Sequence, residues 1–98
     1  MSERLEKDVE RKLTEGIKAL GGLSYKFISP GNAGVPDRIV ILPGGHVVFV
    51  ELKTWRGQLT VLQMRQIERL RAHDCTVRVL HGELEVERYL AELKGSPE

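Results

Sequence analysis

The chain has one cysteine, three histidines and almost no excess of either charge, with 15 Lys and Arg against 14 Asp and Glu for a formal net charge of +1. A lone Cys75 excludes a disulfide framework, and His46, His73 and His81 lack the spacing of a zinc site. No apolar run approaches the roughly 20 residues that cross a bilayer, and the first residues do not read as a secretion signal. A soluble, cytoplasmic protein of a reducing compartment is expected, with no membrane partner. A Walker-type glycine-rich loop is also missing, so no nucleotide cofactor is expected. Because the charges balance, affinity for nucleic acid has to come from a local basic patch. What remains is a chain of 98 residues, 41% hydrophobic. That suits one domain over residues 1–98, with residues 95–98 expected to form a flexible tail, and a core modest enough for a dimer to help.

Apolar periodicity lays out the elements. Leu5, Val9, Leu13, Ile17 and Leu20 recur every three or four residues, which predicts an amphipathic helix over Glu3–Leu20, stopped by Gly21-Gly22. Leu23–Ser29 alternates and reads as a strand. Asp37–Leu42 and His46–Leu52 read as two strands of a hairpin turned by Pro43-Gly44-Gly45. A helix over Thr60–Ala72, a strand over Thr76–Leu80 and a helix over Leu84–Leu93 follow. The order is αβββαβα, an α/β fold, and the helix between the third and fourth strands permits a parallel pairing with a right-handed crossover in an otherwise antiparallel, hence mixed, sheet.

The chemistry concentrates at one end of the predicted hairpin. In a strand, residues two apart share a face, so Glu51 and Lys53 point the same way. Asp37, presented just after Pro36 at the start of the neighbouring strand, lies opposite Glu51. Two converging carboxylates repel unless a cation sits between them, and Mg²⁺ is held by one or two carboxylates plus waters and substrate phosphate. Lys53 beside such a site can position a nucleophilic water or stabilise a phosphorane-like transition state. The pattern points to metal-dependent phosphodiester hydrolysis. Taken singly, the residues have plainer readings: turn chemistry for Asp37, a solvated strand-end charge for Lys53. Gln63 shares a stripe with Leu59, Ile67 and Leu70, and fits both a capping box opened by Thr60 and an amide orienting Lys53 or a phosphate. Glu10, and Glu6 one turn before it, sit at the edge of the first helix's apolar face, where a solvated ion pair is the ordinary explanation. Candidate contacts for nucleic acid are Lys26, Arg38, Arg56, Lys12, Arg11 and Arg65, with Ser29 and the Gly31–Gly34 amides able to donate to phosphates.

The stretch Lys26-Phe27-Ile28-Ser29-Pro30-Gly31-Asn32-Ala33-Gly34-Val35-Pro36-Asp37-Arg38, followed by Phe49-Val50-Glu51-Leu52-Lys53 and Gln63, resembles the VRR-NUC family of the PD-(D/E)XK nuclease superfamily. The resemblance covers nearly the whole chain and implies a restriction-endonuclease-like core. It also implies that Asp37 and Glu51, with the carbonyl of Leu52, bind Mg²⁺ or Mn²⁺, that Lys53 assists the attacking water, and that Glu10, with Glu6 as the alternative, is the helix carboxylate of the site and a further metal ligand. Gln63 matches the family's glutamine on the helix after the Glu-x-Lys strand. Small stand-alone members of bacteria and phages resemble dimeric enzymes that cut branched DNA such as four-way (Holliday) junctions in repair or recombination. The expectation is therefore a homodimeric endonuclease, with the Leu84–Leu93 helix and its Tyr89 as one candidate dimer surface. Two alternatives stand beside it: a non-catalytic module that binds DNA structure, and a nuclease of broader duplex or flap specificity.

Overall fold

In the computed structural model, which describes residues 2–95, the chain runs α1 (Ser2–Ala19), β1 (Leu23–Lys26), β2 (Arg38–Leu42), β3 (His46–Lys53), α2 (Val61–Ala72), β4 (Thr76–His81) and α3 (Gly82–Gly95). The expected element order is the observed one. Part of the expected C-terminal tail, residues 96–98, lies outside the described residues, while Gly95 still belongs to α3.

The first helix ends as its sequence requires. Gly21, at φ +84°, takes the left-handed conformation, its N–H donates to Lys18 O at 2.9 Å, and Gly22 N–H donates to Ile17 O at 2.9 Å. These are the paired bonds of a Schellman stop, which only a residue tolerant of positive φ closes cheaply. The hairpin turn follows the same logic. Gly45 N–H donates to Leu42 O at 3.0 Å, with Pro43 ahead of Gly44 at φ +94°, the proline-glycine pair of a type II turn.

The four strands lie in sequence order β1-β2-β3-β4. The first two pairings are antiparallel and β3 pairs with β4 in parallel, so the sheet is mixed, with α2 as the crossover. On one face Val9, Leu13 and Ile17 of α1 pack with Val40, Val48, Val50 and Leu80 of the sheet and with Val86 and Tyr89 of α3. The alternation of strand side chains sends Phe49 and Val77 to the other face, where α2, through Ile67, covers β4. Tyr89 is 2% exposed, so α3 is a core helix on this side, and Tyr89 is unavailable for the dimer contact expected of it.

The end of β1 and both ends of α3, which runs on to Gly95 instead of Leu93, move by two or more residues. The first strand stops at Lys26 rather than Ser29, because Pro30 and then Gly31, at φ +81°, carry the chain out of the sheet. The third helix starts at Gly82, two residues early, where the carboxylate of Glu85 accepts from the His81 backbone N–H and satisfies a donor that the helix start leaves open.

Candidate metal and phosphodiester site

Four segments converge at the far end of the hairpin from its turn. The β2–β3 register pairs Arg38 with Val50, so continuing it by one step sets Asp37 opposite Glu51, the meeting that strand alternation predicts. Together with Leu52, Lys53, Lys26 of β1 and Glu6, Lys7, Val9 and Glu10 of α1, these two carboxylates line one cavity of about 370 Å³. Five of the residues singled out for the site or for the metal, Asp37, Glu51, Leu52, Lys53 and Glu10, thus share one pocket, with Lys26 at its wall.

Electrostatics inside the cavity is unfavourable in a specific way. Glu51 is 4% exposed. Its carboxyl is pushed up to about 7, first by burial and then by the Asp37 carboxylate, against the opposing pull of Lys53 and the Asp37 backbone N–H. Asp37 is also raised, by burial and slightly by Glu10, against the Leu52 and Asp37 backbone N–H groups and Arg38. Its Oδ1 is fully buried and has no hydrogen-bond partner among the described residues. A buried carboxylate oxygen with nothing to bond costs about 1–3 kcal/mol or more, and a hard cation is the partner that satisfies both carboxylates at once. Among the described residues no group of three acidic, histidine or cysteine side chains gathers around one point. The donor set is therefore two carboxylates, the number Mg²⁺ ordinarily takes while keeping several waters; Glu10, expected as a further ligand, is not a third, because one of its oxygens is engaged by Arg38 Nη1 at 2.8 Å. The residues fit such an ion.

Gln63 reaches the site from α2 and does two things. Its backbone N–H donates to Thr60 Oγ1 at 3.1 Å while its Oε1 accepts from the Thr60 N–H at 2.9 Å, closing the capping box. Its Nε2 donates to Glu51 Oε2 at 3.2 Å. The amide therefore orients Glu51 and not Lys53. What brings α2 close enough is the loop ahead of Asp37. A Cβ at Gly34 would lie 2.7 Å from Leu62 O, so loop and helix start are in backbone contact, and Gln66 Nε2 donates to Ala33 O across the same junction at 3.3 Å.

Arg38 departs from expectation. It is 6% exposed, with Nη1 donating to Glu10 Oε2 at 2.8 Å and Nη2 to Thr14 Oγ1 and Ser24 Oγ at 3.1 and 3.0 Å. A guanidinium so engaged and buried is not presented to a phosphate backbone. It ties β2 to α1 and β1, and it holds one oxygen of Glu10 at the cavity rim. Lys12 and Arg11 are likewise occupied, with Glu87 at 2.7 Å and Asp8 at 3.0 Å. Lys26, Arg56 and Arg65 are exposed. Ser29 and Gly31 lie in the exposed loop after β1, where Ser29 Oγ accepts from Asn32 Nδ2 at 3.0 Å, outside the cavity lining.

Sequence reasoning missed Lys7, which lines the cavity, and Thr14 and Ser24, the anchors of Arg38. Lys7 had a signal, since it precedes Glu10 by three on the same helix. Thr14 and Ser24 had none, because small hydroxyl residues acquire partners only through tertiary packing.

Comparison with known proteins agrees on the fold and points to one family. The model of the VRR-NUC domain family matches residues 2–84. A protein named "Putative nuclease p44", from Acyrthosiphon pisum secondary endosymbiont phage 1, is 42% identical over 78 residues, which cover 80% of this chain and 84% of that protein. A solved structure described as a VRR_NUC domain superposes with a TM-score of 0.82 at 32% identity, over 94% of this chain and 97% of that one.

Proposed function

The chain belongs to the VRR-NUC domain family of nucleases, and from that premise we propose that it is a metal-dependent, structure-specific endodeoxyribonuclease that hydrolyses phosphodiester bonds in branched DNA, four-way junctions above all, as a homodimer. The observation that carries the metal dependence is the orphaned, buried Oδ1 of Asp37 beside a Glu51 whose carboxyl is pushed up to about 7. Asp37, Glu51 and the carbonyl of Leu52 would hold Mg²⁺ or Mn²⁺. When bound, such an ion polarises the scissile phosphate and neutralises charge developing on it.

The chain's own side chains do the rest. Gln63 keeps the Glu51 carboxylate in one orientation through the 3.2 Å bond. The Lys53 ammonium, in the same cavity, donates to the attacking water or to a phosphate oxygen and so offsets charge where it builds up. Glu10, steadied by Arg38, adds negative charge at the cavity rim, and the exposed Lys26 in the same lining can receive the DNA backbone.

Support for the homodimer comes from the sheet. On its face away from α1, α2 packs against β4 and Phe27 packs edge-on against Phe49 at 5.7 Å, and on the β1–β2 half the registers join Leu23, Ile41 and Val47 in one row and Tyr25, Ile39 and Phe49 in the next. Leu23, Tyr25 and Val47 are 48%, 52% and 40% exposed. Contiguous exposed apolar patches of this kind mark association surfaces. A second copy laid on it by a two-fold axis pairs the two cavities, as a two-fold symmetric junction demands.

The test is cleavage of labelled four-way junction and of matching linear duplex with Mg²⁺, Mn²⁺ or chelator, alongside Lys53→Ala. Metal-dependent cutting of the junction alone, lost in the variant, is the expected result. Equal cutting of duplex would make it a general nuclease, and junction binding without cutting would make it a structure-binding module.

A further inference from the structure

Trp55 is the only tryptophan in the chain and is 65% exposed, the costliest side chain to leave in water. Looseness does not explain it. The turn from Thr54 to Gly57 is closed by Gly57 N–H donating to Thr54 O at 2.9 Å. The Trp55 backbone is seated against Gly82, where an added Cβ would come within 2.9 Å of Trp55 Cβ. A fixed turn thus displays the indole, and the Arg56 guanidinium stands 4.4 Å from the ring centroid. Beside the ring is a groove of about 410 Å³ lined by Val9, Thr54, Trp55, Gly82, Glu83 and Leu84. That is the size of pockets that enclose small ligands. Val9 also lines the cavity of Asp37 and Glu51, and Trp55 follows Lys53 by two residues, so groove and candidate active site adjoin.

We propose that this groove is a stacking site for one nucleobase of the DNA substrate that has left the helical stack, at a branch point or in a single-stranded arm, and that it selects the DNA shape reaching the adjacent cavity. The inference rests on the nuclease reading above and names how its substrate is recognised. A flat aromatic ring beside a planar cation is the pairing on which bases stack, and every base offers a π-face, so the site tolerates any sequence. Arg56, over the Trp55 ring, and Lys53, in the adjoining cavity, bring positive charge near the groove, suiting a phosphate-linked base better than an apolar peptide. Glu83, the one acid in the lining, has Lys12 within 4.0 Å. A base inside intact duplex cannot enter without unstacking, which costs a few kcal/mol.

Trp55 emission reports the contact directly. The wild-type protein, held in chelator so that nothing is cut, is titrated with single-stranded oligonucleotide, splayed fork, four-way junction and fully paired duplex. Binding is followed separately by the anisotropy of labelled DNA. Quenching that tracks binding of the single strand, fork and junction, and exceeds that with duplex at equal saturation, is expected. Trp55→Ala should weaken fork binding about 5- to 150-fold, the range one stacked base supplies, with Trp55→Phe recovering most of it. Saturating anisotropy with unchanged emission overturns the proposal, as does full fork affinity in Trp55→Ala. Emission that changes on diluting the protein without DNA assigns the groove to a second copy of the chain and overturns it too. Quenching intact but no cutting once Mg²⁺ is added would sink the nuclease reading and leave the stacking site standing.

Discussion

Replacing Glu51 by glutamine should make the metal-free protein more stable while abolishing cleavage. In the folded state the Glu51 carboxyl sits at about 7 instead of its ordinary 4.5, chiefly through burial and then through Asp37. A group whose folded value is raised contributes stability that is fully present below the unfolded value and is lost as pH rises through the folded one. Above pH 7 the ionised carboxylate therefore costs about 3 kcal/mol, at 1.36 kcal/mol per pH unit across that gap. Glutamine removes the charge and keeps an oxygen to accept from Gln63 Nε2. For a chain of this size 3 kcal/mol corresponds to a rise in Tm of roughly 10–20 °C. The assay is thermal unfolding by circular dichroism in chelator from pH 4 to 8.5. The Glu51→Gln advantage should vanish near pH 4, grow between about 4.5 and 7, and level off above. Adding Mg²⁺ at pH 8 should raise the wild-type Tm and shrink the gap, because a ligand bound only by the folded state stabilises it by mass action. If wild type and variant melt together at pH 8.5 in chelator, or the variant melts lower, Glu51 is not held against its charge and the two carboxylates need no cation between them.

Gln63→Ala removes the reciprocal half of the capping box and the bond to Glu51, and should cost about 1 kcal/mol in urea unfolding while raising the metal concentration needed for half-maximal cleavage; unchanged metal dependence would confine Gln63 to capping. Arg38→Met strands Glu10, Thr14 and Ser24 and should cost about 3 kcal/mol. A variant of wild-type stability whose DNA affinity alone falls would return Arg38 to the phosphate-contact role. Tyr25→Asp, on the exposed apolar face of edge strand β1, should convert a dimer to a monomer in sedimentation velocity, and a variant that still sediments as a dimer places the interface elsewhere.

The local geometry of this protein is written in residue spacing. The three- and four-residue rhythm of Val9, Leu13 and Ile17 makes α1, Gly21-Gly22 ends it, Thr60 with Gln63 caps α2, and strand alternation sets Glu51 and Lys53 on one face opposite Asp37. Each follows from backbone dihedrals and near-neighbour hydrogen bonds, which a short stretch of chain decides alone. Burial does not follow that way. Whether Arg38 meets DNA or Glu10, whether Gln63 faces Lys53 or Glu51, whether Tyr89 is core or surface, how strongly Glu51 holds its proton, and that Trp55 is left in water beside the cavity all depend on what distant segments exclude from solvent. Desolvation and charge–charge interaction sum over groups that only the packed sheet and helices bring within a few ångströms, and so only the tertiary structure decided them.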